Sequence, residues 1–377
     1  MKRKWLYLIL MFALIFAIAC QNRKDAATPS EDDFLTKAKA IHDRVLTLDT
    51  HVDIEVSFIT PKIYMGESNE KLVTLPKMRE GGLDAVFFAI FSPQGPRTAE
   101  GFQKIYEQAL EKFSDIHTAI EETHPDQIEL AFLPEDVSRI QTANKKVAMI
   151  GMENGYPIGE DLVNLKKFYD LGCRYITLCH DGHNQICDSH DSRKEPESIH
   201  DGVSEFGKKV IKEMNRLGII VDISHQSKQS MLDTVMLSKA PVIASHSACR
   251  ALCDVSRNLD DEQLLALKKN GGVIHIVGIS YFIKKAKSPQ ASVKDLVDHI
   301  DHAVNIIGVD HVGISSDFYK SQSCLDGWKD AGETFNVTLE LVRRGYSEEQ
   351  IAKIWSGNCL RVWEEVAEVA KRHQLKN

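Results

Sequence analysis

The feature that most constrains the fold of this chain is an alternation of short apolar runs with segments of helical spacing. The segments FGKKVIKEMNRLG (206–218) and VKDLVDHIDHAVNIIG (293–308) show that spacing, because their apolar residues recur every three or four positions. Continuous apolar strands that alternate with helices are typical of a parallel sheet, and eight repeats predict a closed (β/α)₈ TIM barrel. An open doubly wound sheet is the alternative, but no GxGxxG motif follows the first run. The eight apolar runs occupy residues 45–51, 83–92, 146–153, 173–180, 218–225, 241–247, 271–279 and 311–318.

The amino terminus differs in character from the rest of the chain. A basic stretch at 2–4 precedes the apolar segment WLYLILMFALIFAIAC, which ends at Cys20. Such a segment is typical of a secretory signal and is short for a membrane span. Its end resembles a bacterial lipobox, which implies a lipid on Cys20 and, with Gln21 next, a position on the periplasmic side of the outer membrane. We expect a signal peptide over 1–20, a polar tether over 21–40 and a single barrel domain over 41–377.

Charge and length limit the classes of function. The chain of 377 residues has 46 basic and 54 acidic side chains, a formal net charge of −8, and no marked basic patch. Nucleic acid is therefore not an expected partner. The length allows one large domain of barrel size or two smaller ones, and the absence of a linker-like stretch between residues 40 and 370 favours one.

Acidic and imidazole side chains recur where the predicted strands end. His51 and Asp53 are two residues apart, so in a strand they point to the same side. In a barrel the carboxyl ends of all strands lie on one face, which is where active sites are found. A polar loop explains any one of these residues, but seven of them at one rim indicate a binding site. The seven are His51, Asp53, Glu153, His180, His225, His246 and Asp317.

This combination of side chains predicts a metal centre. Imidazoles and carboxylates together are ligands for Zn²⁺ and related divalent ions. The set is larger than one tetrahedral zinc requires, so we expect two metals that share a bridging carboxylate. A hydroxide between two such metals is a nucleophile at neutral pH, which predicts a barrel of the metal-dependent hydrolase type.

Three further histidines occur in the polar segment HDGHNQICDSHDSRKEPESIH, residues 180–200. They are His183, His190 and His200. A separate metal site in this segment is one interpretation. We favour a solvated loop over the mouth of the barrel.

Eight segments, in order along the chain, resemble the membrane dipeptidases, also called renal dipeptidases. The resemblance implies a (β/α)₈ fold and a binuclear zinc site that hydrolyses dipeptides. It implies that His51 and Asp53 bind one zinc, that His225 and His246 bind the other, and that Glu153 bridges the two. The segments cover roughly residues 41–365 and read DTHVD, GMENG, RYITLCH, GVSEFGKKVIKEMNRLGIIVDISH, PVIASHS, SRNLDD, HVGISSDF and LVRRGYSEEQIAKIWSGNCLRV.

The same resemblance implies roles for three residues in catalysis and substrate binding. His180 would position and polarise the substrate carbonyl, and Asp317 would transfer protons. Arg257, in SRNLDD, would hold the substrate carboxylate, a role that suits a guanidinium group. Family members commonly tolerate a D-residue at the C-terminal position, and some open β-lactam rings. After Asp317 this chain reads FYK, where the family often has Asp-Gly after the Phe, so the substrate preference stays open.

These observations predict an exported, lipid-anchored zinc dipeptidase whose partners are a dipeptide substrate and the membrane, with a homodimer left open. One alternative is a related barrel hydrolase that acts on a cyclic amide, a lactone or an N-acyl amino acid. Arg257 favours a substrate with a free carboxylate without excluding these. The second alternative is a zinc-binding envelope lipoprotein without turnover, which would need neither His180 nor Asp317.

Overall fold

Parallel strands form the centre of the molecule. The structure is a computed structural model, and it describes residues 29–53, 71–192, 195, 197–285, 290–319 and 323–375. Its strands are β1 (Leu48–Asp53), β2 (Ala85–Phe91), β3 (Ile128–Leu130), β4 (Lys146–Glu153), β5 (Cys173–Thr177), β6 (Ile220–Asp222), β7 (Ile243–Ser247), β8 (Val273–Val277) and β9 (Val312–Ser315).

Eight of these strands follow one another around a nearly closed barrel, in the order β1-β2-β4-β5-β6-β7-β8-β9. Every pairing along this path is parallel. The last strand returns to the first, where the Asp317 backbone N–H donates to the His51 carbonyl at 3.0 Å and Thr50 Oγ1 donates to the Ile314 carbonyl at 3.1 Å. The predicted (β/α)₈ TIM barrel is thereby confirmed, and the open doubly wound alternative is wrong.

Helices connect the strands. They are α1 (Glu31–His42), α2 (Leu75–Glu80), α3 (Ala99–His117), α4 (Pro134–Thr142), α5 (Val163–Asp170), α6 (Glu205–Leu217), α7 (Lys228–Leu237), α8 (Asp261–Asn270), α9 (Ser280–Ile283), α10 (Val293–Ile307), α11 (Phe335–Arg343), α12 (Glu348–Ala352) and α13 (Asn358–Gln374). Two π-helical turns, Thr118–Thr123 and Lys353–Gly357, extend α3 and join α12 to α13.

Helix α6 illustrates why the sequence alternates as it does. Ser204 caps its first turn by accepting from the Gly207 N–H. Val210 and Met214, four residues apart, are buried on one face of the helix. Gly218 ends the helix in the left-handed region, at φ +87°, and the chain enters β6 two residues later. A capped amphipathic helix and a short apolar strand thus form one βα repeat.

Two apolar clusters stabilise the barrel. One joins strand residues such as Phe87, Met149 and Tyr175 to Trp363 of α13, and the rings of Phe87 and Trp363 lie 6.1 Å apart between centroids. The other, larger cluster joins strands to the surrounding helices. The larger cluster also includes apolar residues that follow the strands, such as Leu178, Ile223 and Phe318, so the rim is polar only in part.

The structure adds to the predicted elements in two places. Strand β3 was not predicted; it is three residues long and pairs only with β4 among the described residues. Part of the segment expected to be a polar tether, residues 21–40, is helical from Glu31 onward, because Ser30 forms a capping box with Asp33 and Ile41 is buried.

The predicted signal segment and Cys20 lie outside the described residues. Within the residues that are described, no helix has both the length and the hydrophobicity of a membrane span.

Candidate functional site

The structure brings the seven strand-end residues together at one rim of the barrel. Each comes from the carboxyl end of a strand or from the residues directly after it, because parallel strands in a barrel all end at the same face. His51 and Asp53 lie in β1, Glu153 ends β4, His180 follows β5, His225 follows β6, His246 lies in β7 and Asp317 follows β9.

Glu153 lies between the histidines. Its Oε1 is 3.0 Å from His225 Nε2, 3.2 Å from His246 Nε2 and 3.6 Å from His180 Nε2. Its Oε2 is 3.7 Å from His51 Nε2. The carboxylate is 3% exposed, so one buried side chain connects both halves of the site.

On one side of Glu153 the site is rich in carboxylates. His51 Nε2 lies 3.3 Å from Asp53 Oδ1 and 4.0 Å from Asp317 Oδ1. The ring is fixed from below by Tyr175, whose hydroxyl lies 2.8 Å from His51 Nδ1. Gly151 leaves room for the Tyr175 ring, since a Cβ there would lie 2.1 Å from Tyr175 Cζ. We call His51, Asp53 and Asp317 the His51 side.

On the other side two imidazoles face the same carboxylate oxygen. His225 Nε2 and His246 Nε2 are 3.1 Å apart. The Ser245 hydroxyl donates to Asp222 Oδ2 at 2.6 Å, so it accepts from His246 Nδ1, 2.7 Å away. His225 Nδ1 lies 3.3 Å from the Asp181 carboxylate. We call His225 and His246 the His225 side.

These outer contacts determine which atoms face the centre. A carboxylate or an already donating hydroxyl accepts from Nδ1–H, which leaves Nε2 of His225 and of His246 without a proton. Two nitrogen lone pairs then point at Glu153 Oε1 from about 3 Å, and a cation is what such a set of donors binds. Nitrogen and carboxylate donors of this kind suit Zn²⁺ and similar divalent ions, so the residues fit a metal centre.

Two overlapping groups of donors fit that description. Their ligand atoms lie within 4.8 Å of one another in the groups His51, Glu153 and His246 and in Glu153, His180 and His225. A third group, His51, Asp53 and Asp317, satisfies the same spacing. Glu153 is common to the first two groups, in which His246 accompanies His51 and His225 accompanies His180.

The backbone is strained at two of these residues. His225 has φ +66° and Asp317 has φ +55°, in the left-handed region that non-glycine residues rarely adopt. Asn154, directly after Glu153, has φ +79°. Such conformations cost about 1–3 kcal/mol each and persist where the surroundings require the orientation of a side chain.

Electrostatics separate the two sides of Glu153. Burial opposes protonation of His51, but the carboxylates of Glu153 and Asp53 hold its pKa well above the usual range. Burial lowers the pKa of His225 to about 3, and the positive Arg257 adds to the effect. Burial likewise holds the pKa of His246 well below its usual value. The histidines of the His225 side are thus neutral, as metal ligands must be.

The acidic groups also differ. Burial favours protonation of Glu153, yet the nearby imidazoles of His180 and His51 hold its pKa well below the usual range. Burial, together with the charges of Asp53 and Glu153, raises the pKa of Asp317 well above its ordinary value. Asp317 is therefore the carboxyl group of the site best suited to carry a proton.

A cavity of about 670 Å³ opens above these residues. Arg257 lines it and is 3% exposed. Its terminal nitrogens donate to Ser247 Oγ at 2.7 Å and to the His246 carbonyl at 2.6 Å, while its Nε has no hydrogen-bond partner among the described residues. Aromatic side chains form part of the wall; they are Phe91, Tyr281, Phe282 and Tyr319.

Several supporting residues were not predicted from the sequence. Asp222 had a signal, since it is a carboxylate within an apolar run three residues before His225. Tyr175 had none, because its role depends on which face of β5 points inward.

The expectation of a solvated loop at 180–200 is wrong in part. His183 and His190 are buried or nearly so. Asp188 is buried and accepts from backbone N–H groups of the same loop, including those of His200 and Gly202. Several of the described polar residues of this segment bind one another, and for that reason this part of the loop can lie against the barrel.

This chain is similar to known proteins in both sequence and fold. A family model described as membrane dipeptidase, peptidase family M19, matches residues 35–377. Dipeptidase tcpJ of Claviceps purpurea is 36% identical over 302 residues, which cover 79% of this chain and 70% of that protein. Dipeptidase ataJ of Aspergillus terreus is 32% identical over 377 residues, covering 92% and 91%. The crystal structure of the probable dipeptidase PvdM from Pseudomonas aeruginosa is 31% identical, with a TM-score of 0.84 over 90% of this chain and 100% of that one.

Proposed function

The chain belongs to the membrane dipeptidase family of metallopeptidases, and we propose that it hydrolyses dipeptides with two zinc ions joined by Glu153. His51 and Asp53 would hold one ion, and His225 and His246 the other. The observation that carries the proposal is the pair of Nε2 atoms of His225 and His246, 3.1 Å apart, that both face Glu153 Oε1.

The residues around the ions would bind the substrate carbonyl and transfer the proton. When bound, the zinc pair would polarise the peptide carbonyl and lower the pKa of the attacking water. His180 lines the cavity 3.6 Å from Glu153, where it can donate to the carbonyl oxygen of the substrate. Asp317, whose pKa burial raises, would accept a proton from the water and donate it to the departing amine.

Arg257 would read the free carboxylate of the substrate. Its guanidinium is buried beside His246 and lines the cavity, its Nε–H has no hydrogen-bond partner among the described residues, and a carboxylate is the natural acceptor for such a group. This favours a dipeptide with an unmodified C-terminus over an amide or a neutral lactone.

The aromatic wall supports a preference for the second residue of the dipeptide. Arg257 Cζ lies 5.6 Å from the centre of the Phe282 ring, and the hydroxyls of Tyr281 and Tyr319 are 2.9 Å apart. The side chain next to a carboxylate held by Arg257 would pack on these rings. We therefore propose large apolar C-terminal residues as preferred substrates. The resemblance to the family supports the further proposal that the L- and D-forms are both accepted.

A substrate panel on zinc-loaded protein tests the proposal. It contains dipeptides with Gly, L-Phe or D-Phe at the second position, the amide of one dipeptide, an N-acetyl amino acid, a cyclic amide and a lactone. We expect the free dipeptides to have the highest kcat/KM, and Phe to exceed Gly. Faster turnover of the N-acyl, cyclic amide or lactone compounds would favour a different barrel hydrolase. Full zinc content without turnover of any compound would favour a binding protein.

The localisation of the protein is a separate proposal that rests on sequence alone. We infer that Cys20, which follows an apolar segment and small residues, carries the lipid that attaches the protein to the outer membrane. A single lipid chain binds a membrane only weakly, so stable attachment would need several chains on the modified Cys20. Loss of this residue should therefore release the protein from the membrane. Cys20→Ser should move it to the soluble fraction or block its processing. A variant of mature size that stays in the membrane fraction would contradict this.

A further inference from the structure

The loop after β5 is fastened to the residues that follow β6. The backbone N–H of His190 donates to the His225 carbonyl at 2.8 Å, and Ser189 pairs with Gln226 in an antiparallel bridge. The rings of His190 and His225 have centroids 5.6 Å apart. The loop therefore lies directly against one half of the candidate metal centre.

A chain of side-chain contacts runs through this loop. His225 Nδ1 and His190 Nε2 each lie 3.3 Å from Asp181 Oδ1. On its other side, His190 Nδ1 is 3.0 Å from Ser256 Oγ. His225 Nδ1 forms a hydrogen bond with Asp181, and His190 Nδ1 forms one with the Ser256 hydroxyl. His190 Nε2 lies within ion-pair distance of Asp181 but without hydrogen-bond geometry. Ser256 directly precedes Arg257, so the contacts connect His225 to the loop that would read the substrate carboxylate.

We propose that Asp181 and His190 are positioning residues for the His225 side of the metal centre. Asp181 fixes the ring rotation and the tautomer of His225, so that its unprotonated Nε2 faces Glu153. His190 holds Asp181 in place and connects it to Ser256. This inference rests on the proposed function, in which His225 is a metal ligand.

The chemistry of metal sites supports this division of labour. A histidine ligand usually donates its second ring N–H to a carboxylate or a carbonyl, which orients the ring and makes the ligand more basic. On the opposite side of Glu153 the equivalent atom, His51 Nδ1, faces the hydroxyl of Tyr175 from within the barrel. Loss of Asp181 should therefore weaken one metal and leave the other.

A metal-binding titration separates the two sites. Metal-free protein is titrated with Zn²⁺ against a competing chromogenic chelator, and near-ultraviolet circular dichroism checks that each variant is folded. The parent should bind two equivalents. Asp181→Ala should keep one of them near the parental affinity and weaken the other roughly 10- to 100-fold, the usual effect of losing such a partner. Asp181→Asn keeps an acceptor oxygen, so the zinc affinity of its weakened site should lie between those of the parent and Asp181→Ala. This variant replaces Asp181→Ala in the test if the alanine variant does not fold.

Two controls distinguish positioning from a general structural effect. The first control is Asp191→Asn. Asp191 is another acidic residue of the same loop and also lines the cavity, and this variant should bind both equivalents of zinc as the parent does. In a His225→Ala background, Asp181→Ala should cause no further loss of zinc affinity, because the partner that it positions is gone. His190→Ala should cause a smaller loss, restored in part by His190→Gln.

Each outcome decides for or against the inference. A parent that binds two equivalents, with an Asp181→Ala variant of equal affinity, would overturn the positioning role and leave the proposed function intact. So would an undiminished loss in the His225→Ala background. Asp181, His190 and His225 could together hold an ion themselves, and a third equivalent that His190→Ala removes would replace positioning with a third site. A parent without zinc would overturn both proposals.

Discussion

The two sides of Glu153 are built from different ligands and held in different ways. The His51 side has one imidazole and two carboxylates, and its histidine is supported from inside the barrel by Tyr175. The His225 side has two imidazoles, supported by Asp222 through Ser245 and by Asp181 from a loop. The His51 side thus has mainly oxygen ligands and is supported by the barrel itself. The His225 side has nitrogen ligands and depends partly on a loop for its support.

The difference in ligands has an electrostatic consequence. Carboxylates around His51 hold its pKa high although burial opposes this, whereas burial and Arg257 hold the pKa of His225 low. In the metal-free protein the first site therefore retains a proton that a metal must displace, and the second does not. Since metal binding releases ligand protons, zinc affinity should depend more steeply on pH at the His51 side.

The largest expected effect removes the group that both sides share. Glu153→Gln takes away the charge between four histidines, so at least one zinc should be lost per chain. Activity should fall by more than the roughly 10⁴-fold that the loss of a proton carrier costs. Metal analysis and dipeptide kinetics measure both, with Glu160→Gln, an exposed residue after the same strand, as the control. Two tightly bound zincs in Glu153→Gln would rule out the bridging role.

The next largest effect concerns proton transfer on the His51 side. Asp317→Asn keeps the shape of the side chain and removes its proton, so kcat should fall about 10²–10⁴-fold while both zincs stay bound. Asp310→Asn, an exposed residue before β9, is the control. Loss of zinc in proportion to activity would make Asp317 a structural ligand instead. A kcat within a few-fold of the parent would remove it from the mechanism.

A smaller effect is expected for recognition of the substrate next to the His225 side. Arg257→Ala should raise KM for free dipeptides roughly 10- to 100-fold, the value of a charge-assisted hydrogen bond, with little change for dipeptide amides. Arg257→Lys keeps the positive charge but loses the planar guanidinium with its paired N–H donors, so it should recover only part of the affinity for free dipeptides. Equal losses on acids and amides would show that Arg257 does not read the carboxylate.

The smallest expected effect is on the pH dependence of the free energy of unfolding, which should differ between His225 and His51. The folded pKa of His225, about 3, lies below its ordinary value of 6.5, so its contribution to the free energy of unfolding is present above pH 6.5 and is lost as the pH falls toward 3. His51 has a raised pKa, so its contribution is present below pH 6.5 and is lost as the pH rises through the folded value.

Urea unfolding of metal-free variants at about pH 7.5 and about pH 5 tests this contrast. Relative to the parent, His225→Gln should lose less stability on acidification, by on the order of 2 kcal/mol. His51→Gln should lose more. Identical pH dependence in the two variants would show that the sides do not differ in their protonation.

Much of the fold could be predicted because the spacing of apolar residues differs between the strand and the helix of each βα repeat. Seven of the eight predicted runs contain a barrel strand, and the run at 146–153 coincides with β4; the first run, 45–51, overlaps β1, which extends two residues beyond it. The runs were longer than the strands elsewhere, as at 218–225, where β6 covers only Ile220–Asp222, because the last residues of a run turn toward the rim. Strand β3 was missed because three residues at the edge of a sheet carry too little periodicity.

The candidate site could be predicted as a set of residues, since strand ends in a barrel converge on one face. Its supporting contacts could not. His190 and Asp181 lie in a segment whose polarity is typical of a solvated loop, and only the fold shows that its polar groups bind one another and His225. Tyr175 reaches His51 because Gly151 leaves space for its ring, a relation between two strands that linear spacing does not reveal.

In the proposed function, dipeptide hydrolysis depends on two metal ions that share Glu153. The most direct measurement is the hydrolysis of one dipeptide by metal-free protein as zinc is added in known equivalents. We expect no activity without zinc, little activity at one equivalent, and full activity only when the second equivalent is bound. Full activity without added zinc, or with a single equivalent bound per chain, would contradict it.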